Sequence, residues 1–196
     1  MIIGLSAFIT EALLKSGIIE NADKELYTYG FYIVLSQGMV FITTVLFGLI
    51  LETLWESVVF YIMFSLIRCF AGGFHAAEEG ACSSCTIIAL FLSTLSLSLL
   101  ERGGSVETPL GMLVFGSIIV YLFSPLEAEG KPLSVEEKSD YRRKSLGITF
   151  SFFIVSLYGW IIHIPGLLYA SAVSQTLESF LLILGKIHCS AKHSVN

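Results

Sequence analysis

From Leu26 to Leu51 the chain runs for 26 residues without a charged side chain, and from Ser145 to Leu177 for 33. Runs this long point to a bilayer, whose hydrocarbon takes about 20 predominantly apolar residues to cross as a helix. Three more stretches fit. Thr53 to Phe74 is apolar apart from Glu56 and Arg68, and Gly80 to Leu100 and Thr108 to Leu126 carry no charge. Ser145–Leu177 is too long for one helix, and its "HIPGL" at His163 to Leu167 marks a turn. It divides into Leu146 to His163 and Gly166 to Gly185. Composition agrees: 14% of residues are charged, against about 25% in soluble domains. The expected fold class is all-α, a polytopic membrane protein with six transmembrane helices.

The basic residues orient these spans. With six spans, both termini, the loop near residue 75 and residues 127–145 share one side. Of eleven Lys and Arg residues, only Arg102 falls on the other. The positive-inside rule makes the shared side cytoplasmic. Residues 2–16 form an expected N-terminal amphipathic helix, with Ile2, Leu5, Ile9, Ala12 and Leu13 at helical spacing and Ser6, Thr10, Glu11 and Lys15 mostly opposite. It lies either in the membrane interface or on the protein itself, and Gly17 is its expected C-cap. A secretory signal would need a basic start, but the first basic residue is Lys15. One membrane domain, 1–196, is expected: an amphipathic segment 1–25, a six-helix domain 26–185 and a cytoplasmic tail 186–196. A net charge of −5 without a basic, aromatic-rich surface argues against nucleic acid as a partner.

Chemistry concentrates in "RCFAGGFHAAEEGACSSC", Arg68 to Cys85, which holds three of the four cysteines. On this topology His75 leaves the membrane after the second span and Cys82 enters the third. Cytoplasmic thiols stay reduced, which disfavours a structural Cys82–Cys85 disulfide. Along one continuous helix His75 and Cys82 would be about 10 Å apart, whereas a nucleophile and its base meet at about 3 Å. The chain must therefore fold back between them, and Gly72, Gly73 and Gly80 supply permissive backbone. Three readings stand at this point. Cys82 is a nucleophile with His75 as its base, an imidazolium beside a thiol favouring thiolate. Or Cys69, His75, Cys82 and Cys85 hold a metal, although their spacing departs from paired zinc ligands. Or these are small buried cysteines and an interfacial histidine without chemistry.

"RCFAGGFHA" with Cys82 seven positions after His75 resembles the signature of the accessory gene regulator B (AgrB) family, bacterial membrane cysteine peptidases of quorum-sensing systems. "SPLEAEGKPLSVEEKSDYRRKS", Ser124 to Ser145, looks like that family's "KPLS-x-E-E" loop, and the acidic "ENADKELYTYG" before the first span also fits. The resemblance covers nearly the whole chain. It implies His75 and Cys82 as the catalytic pair, with Arg68, Gly72 and Gly73 as substrate-positioning or structural motif residues. It implies an AgrD-type propeptide as substrate, cleaved at its C-terminal tail through a thioester on Cys82 and cyclised to a thiolactone or lactone. It further implies a homodimer in the bacterial plasma membrane; on the topology above the termini and active site are cytoplasmic, and no metal or cofactor is expected. Glu78-Glu79 departs from the basic or polar residues often found there in relatives, which bears on which propeptide is accepted. The competing function is a small membrane peptide transporter or exporter, which would tolerate loss of Cys82.

Outside the motif, Glu178 is an acid in mid-span with Gln175 one turn before it, a functional suspect by its location. It is the candidate third polar residue, orienting His75, binding Arg68 or holding a subunit contact. His163, near Trp160 and Pro165, reads as an interfacial anchor. His188, Cys189 and His193 occupy a polar tail. Lys138, Arg142, Arg143 and Lys144 form a basic run, read as topology control and anionic-lipid contact or as a dock for an acidic propeptide tail.

Overall fold

A computed structural model of the chain describes residues 2–72, 79–126 and 134–193, with the backbone alone at 79–83 and 190–193. The described elements are helices α1 (Ile2–Lys15), α2 (Lys24–Ile50), α3 (Leu54–Ala71), α4 (Glu79–Gly103), α5 (Glu107–Phe123), α6 (Val135–Ile161) and α7 (Pro165–His193), with a 3-10 turn at Asn21–Asp23. Two compact units divide the chain at residue 43/44, inside α2.

Among the described residues, five helical segments are long and apolar enough to cross a bilayer: Asn21–Ile50, Leu54–Ala71, Ser84–Gly103, Val135–Ile161 and Pro165–Cys189. The protein is thus an all-α, multi-pass membrane protein. The remaining expected span is α5, which is shorter at 17 residues. Its apolar run continues to Leu126, but the helix stops at Phe123 because Pro125 disfavours helical backbone at the residue before it. Ser124 is accordingly extended, with φ −83° and ψ 143°.

In the first unit, α1 ends as expected. Gly17 adopts φ +71°, its N–H donates to Leu14 O, and Ile18 N–H donates to Leu13 O. This is the Schellman closure, which needs left-handed backbone. The helix buries Ser6 and Thr10, while Ile3, Leu5 and Phe8 point outward. Both buried hydroxyls donate to carbonyls of their own helix, at 2.9 Å each.

The second unit has the same inverted polarity. Thr94, Ser145, Ser156, Ser171, Ser174 and Ser179 are buried, whereas Leu92, Ile118, Phe150, Ile154 and Phe180 are exposed. Water would penalise this arrangement and lipid favours it. Hydrocarbon solvates large apolar side chains, and small polar residues let helices approach closely. α7 is the centre of the unit and packs against α3, α4, α5 and α6. Its residues Leu168 to Gln175 are all buried. Against α5 the approach is close enough that a Cβ on Gly116 would come within 2.7 Å of Gln175 Cβ. Ser179 Oγ donates to Gly116 O at 3.2 Å, and Ser117 Oγ donates to Gln175 Oε1 at 2.7 Å.

The α6–α7 turn falls at the "HIPGL" stretch. His163 takes φ +64°, His163 N–H donates to Trp160 O, and Ile164 N–H donates to Gly159 O at 2.8 Å. A histidine here fills the position usually held by glycine. By contrast, α6 begins at Val135, eleven residues before the expected Leu146. A capping box starts it. Ser134 Oγ accepts from Glu137 N–H at 3.2 Å, and Glu137 Oε2 accepts from Ser134 N–H at 2.9 Å. Charges do not stop a helix that leaves the membrane, because its backbone bonds are internal and its side chains are solvated. Apolarity alone therefore marked only the embedded part.

Candidate functional site

The motif begins in the last turn of α3. Arg68 sits one turn before the helix end, and Gly72 ends it with φ 78° and ψ −151°, a backbone region open essentially only to glycine. Here the chain meets the strand-like segment that follows α5. Gly72 and Leu126 form an isolated parallel bridge, and Leu126 N–H donates to Ala71 O at 2.8 Å. A Cβ on Gly72 would collide with the Leu126 carbonyl oxygen. Conformation and contact both therefore require glycine at this position.

Arg68 crosses this junction. Its Nη1 donates to Gly72 O at 3.1 Å and lies 3.9 Å from Glu178 Oε2 of α7. Glu178 is fully buried, and neither carboxyl oxygen has a hydrogen-bond partner among the described residues. Among the described residues, Glu178 faces Arg68, the second of the roles open to it.

The other side of the junction is held from α6. Arg142 Nη1 donates to Ser124 O at 3.0 Å and Nη2 to Tyr121 O at 3.1 Å. The guanidinium also stacks over the Tyr121 ring, 5.6 Å from its centroid. Arg142 thereby satisfies carbonyls that a helix end leaves open. Ser124 and Ser145 hydroxyls share a hydrogen bond of 2.6 Å, and the Ser124–Pro125 peptide is cis. Of the basic run, then, Arg142 is occupied inside the fold. Arg143 and Lys144 both pair with Asp140, at 2.9 and 2.6 Å, and Lys144 Nζ lies 5.6 Å from the Phe70 ring centroid.

Gly73 and His75 lie outside the described residues. Cys82 falls in the first turn of α4, and its side chain is outside them too. Cys69, Cys85 and Cys189 are exposed free thiols. Gln175, which stood beside Glu178 in the sequence, is part of the α5–α7 seam, where Oε1 accepts from Ser117 and Nε2 donates to Ser171 Oγ at 3.4 Å. Sequence reasoning missed Leu126 and the specific work of Arg142, for which no local signal exists. It also missed the Ser134–Glu137 box, although S-x-x-E is a legible N-terminal signature.

A multi-pass helical membrane protein, with a motif arginine and glycine closing one helix end against a neighbouring segment, is the class defined so far. The chain belongs to the accessory gene regulator B family, whose pattern matches residues 6–183. It is 26% identical over 197 residues to an AgrB-like protein of Clostridium perfringens strain SM101, covering 94% of this chain and 87% of that one. An AgrB-like protein of C. perfringens strain 13 is also 26% identical, over 174 residues, covering 83% of this chain and 79% of the other. No solved structure matches. Membership associates the protein with accessory gene regulator quorum sensing and with a family that processes a propeptide.

Proposed function

We propose that this protein is a membrane cysteine endopeptidase that removes the C-terminal tail of an AgrD-type propeptide and promotes its cyclisation. Cys82 thiolate attacks the peptide bond after the future signal sequence, and His75 protonates the departing amine. The tail leaves, and the N-terminal part remains as a thioester on Cys82. A cysteine or serine within the peptide attacks that thioester, closes a thiolactone or lactone, and returns the thiol. The reading needs neither metal nor cofactor. A homodimer with both termini and the active site on the cytoplasmic side completes it.

The observation that carries the reading is family membership together with the Arg68–His75–Cys82 motif at the family's spacing. The position of Cys82 in the first turn of α4 supports it, since a helix N-terminus favours negative charge. A site at the membrane boundary also excludes the water that would hydrolyse the thioester.

Mass spectrometry tests it. Wild type, Cys82→Ala and Cys85→Ala are incubated in liposomes with the propeptide. The expected result is cleavage by wild type and Cys85→Ala, a peptide adduct on Cys82, and no cleavage by Cys82→Ala. Cleavage that survives Cys82→Ala would sink the proposal and favour a transport role.

A further inference from the structure

Among the described residues of α7, Glu178 is the buried polar side chain that the packing leaves without a hydrogen bond. Its neighbours there are satisfied by hydrogen bonds: Gln175 with Ser117 and Ser171, Ser179 with Gly116 O and Gln175 O. Glu178 has no such bond among the described residues and is fully buried. A buried acid without a hydrogen bond is costly to keep, and a neutral polar residue would serve better as mere packing. Instead the carboxyl faces a cation, with Arg68 Nη1 3.9 Å away. The same nitrogen donates to Gly72 O, at the point where α3 ends and the chain runs on towards His75. Being buried, Glu178 does not touch a substrate, so any influence on the reaction is indirect.

Resting on the peptidase reading above, we propose that Glu178 is a positioning residue that acts through Arg68. The Glu178 carboxyl holds the guanidinium from the central helix, and the guanidinium holds the Gly72 carbonyl. The exit of α3 is thereby fixed against α7 on one side, as the Leu126 N–H bond to Ala71 O fixes it against the α5 exit on the other. Together the two anchors fix the end of α3 at Gly72, the last described residue before the motif histidine.

The test uses the full chain in nanodiscs: wild type, Glu178→Gln, Glu178→Asp, Arg68→Gln and the Arg68→Gln/Glu178→Gln double variant. Two readouts are taken, single-turnover cleavage of the propeptide and hydrogen exchange at the Leu126 amide. Exchange at Ile164, whose N–H bonds Gly159 O in the α6–α7 turn, reports general folding.

Glu178→Gln is expected to slow cleavage at least about tenfold, since misplacing a catalytic group by about 1 Å costs up to about 100-fold. It is also expected to speed exchange at Leu126 while leaving Ile164 unchanged. Glu178→Asp keeps the carboxyl group and should recover much of both. In the Arg68→Gln background Glu178→Gln should add nothing, because residues acting through one contact are non-additive. Wild-type exchange at Leu126 in Glu178→Gln overturns the proposal. So does loss of Ile164 protection, an Asp variant as impaired as Gln, or effects that multiply in the double variant. If Cys82→Ala still cleaves, the peptidase reading falls by itself, and Leu126 exchange still decides whether Glu178 positions the α3 exit.

Discussion

At the residue scale, Gly72 has the tightest constraint in the described motif. Backbone in its region costs a non-glycine residue about 1–3 kcal/mol, and the Leu126 carbonyl occupies the space a Cβ would need. Gly72→Ala is therefore expected to lower stability by at least about 2 kcal/mol and to break the Leu126–Ala71 bond. Thermal unfolding in detergent, together with exchange at Leu126, checks this; an unchanged unfolding temperature would count against the argument. His163 offers a contrast. Its φ of +64° is also left-handed, but the α6–α7 turn leaves room for its side chain, which is exposed. Left-handed backbone alone tolerates other residues, whereas left-handed backbone against a carbonyl does not.

At the element scale, the "KPLS-x-E-E" loop acquires a physical reason at its end. Ser134 and Glu137 are the reciprocal pair that opens α6, and Asp140 pairs with Arg143 and Lys144 one turn further on. Ser134→Ala removes an N-cap worth about 1 kcal/mol. Amides in the first turn of α6 should then exchange about fivefold faster, while those around Ser145 to Thr149 stay protected. Equal exchange in the two proteins would mean that the cap contributes nothing. Arg142 couples this helix to α5. Its two carbonyl bonds and its stacking on Tyr121 make it an anchor of the fold, which separates it from Arg143, exposed beside it.

At the scale of the molecule, polarity is sorted as lipid requires. Buried serines and threonines line helix contacts, and outward positions carry leucine, isoleucine and phenylalanine. The turns at 51–53, 104–106 and 162–164 alternate with the basic segments along the chain. With the proposed cytoplasmic termini, these three turns face outward. In a background with its native cysteines removed, Ser105→Cys should react with an impermeant maleimide added to intact cells. Lys138→Cys should react only after permeabilisation. The reverse pattern would invert the topology, and with it the side on which the propeptide is met.

The sequence by itself determined the class of this protein. Uncharged runs count out its helices, the Pro-Gly pair divides the last two, Gly17 closes α1, and the Arg68 to Cys82 motif identifies the family. These are local signals, carried by residues near one another in the chain. Only the tertiary structure decided that α7 is the central helix, that α5 ends three residues before its apolar run does, and that Glu178 faces Arg68. In a helix surrounded by hydrocarbon, apolarity no longer separates inside from outside, so periodicity cannot say which face meets a neighbour. The Arg68–Glu178, Gly72–Leu126 and Arg142–Ser124 contacts join residues on different elements, and only the packing of those elements brings them together.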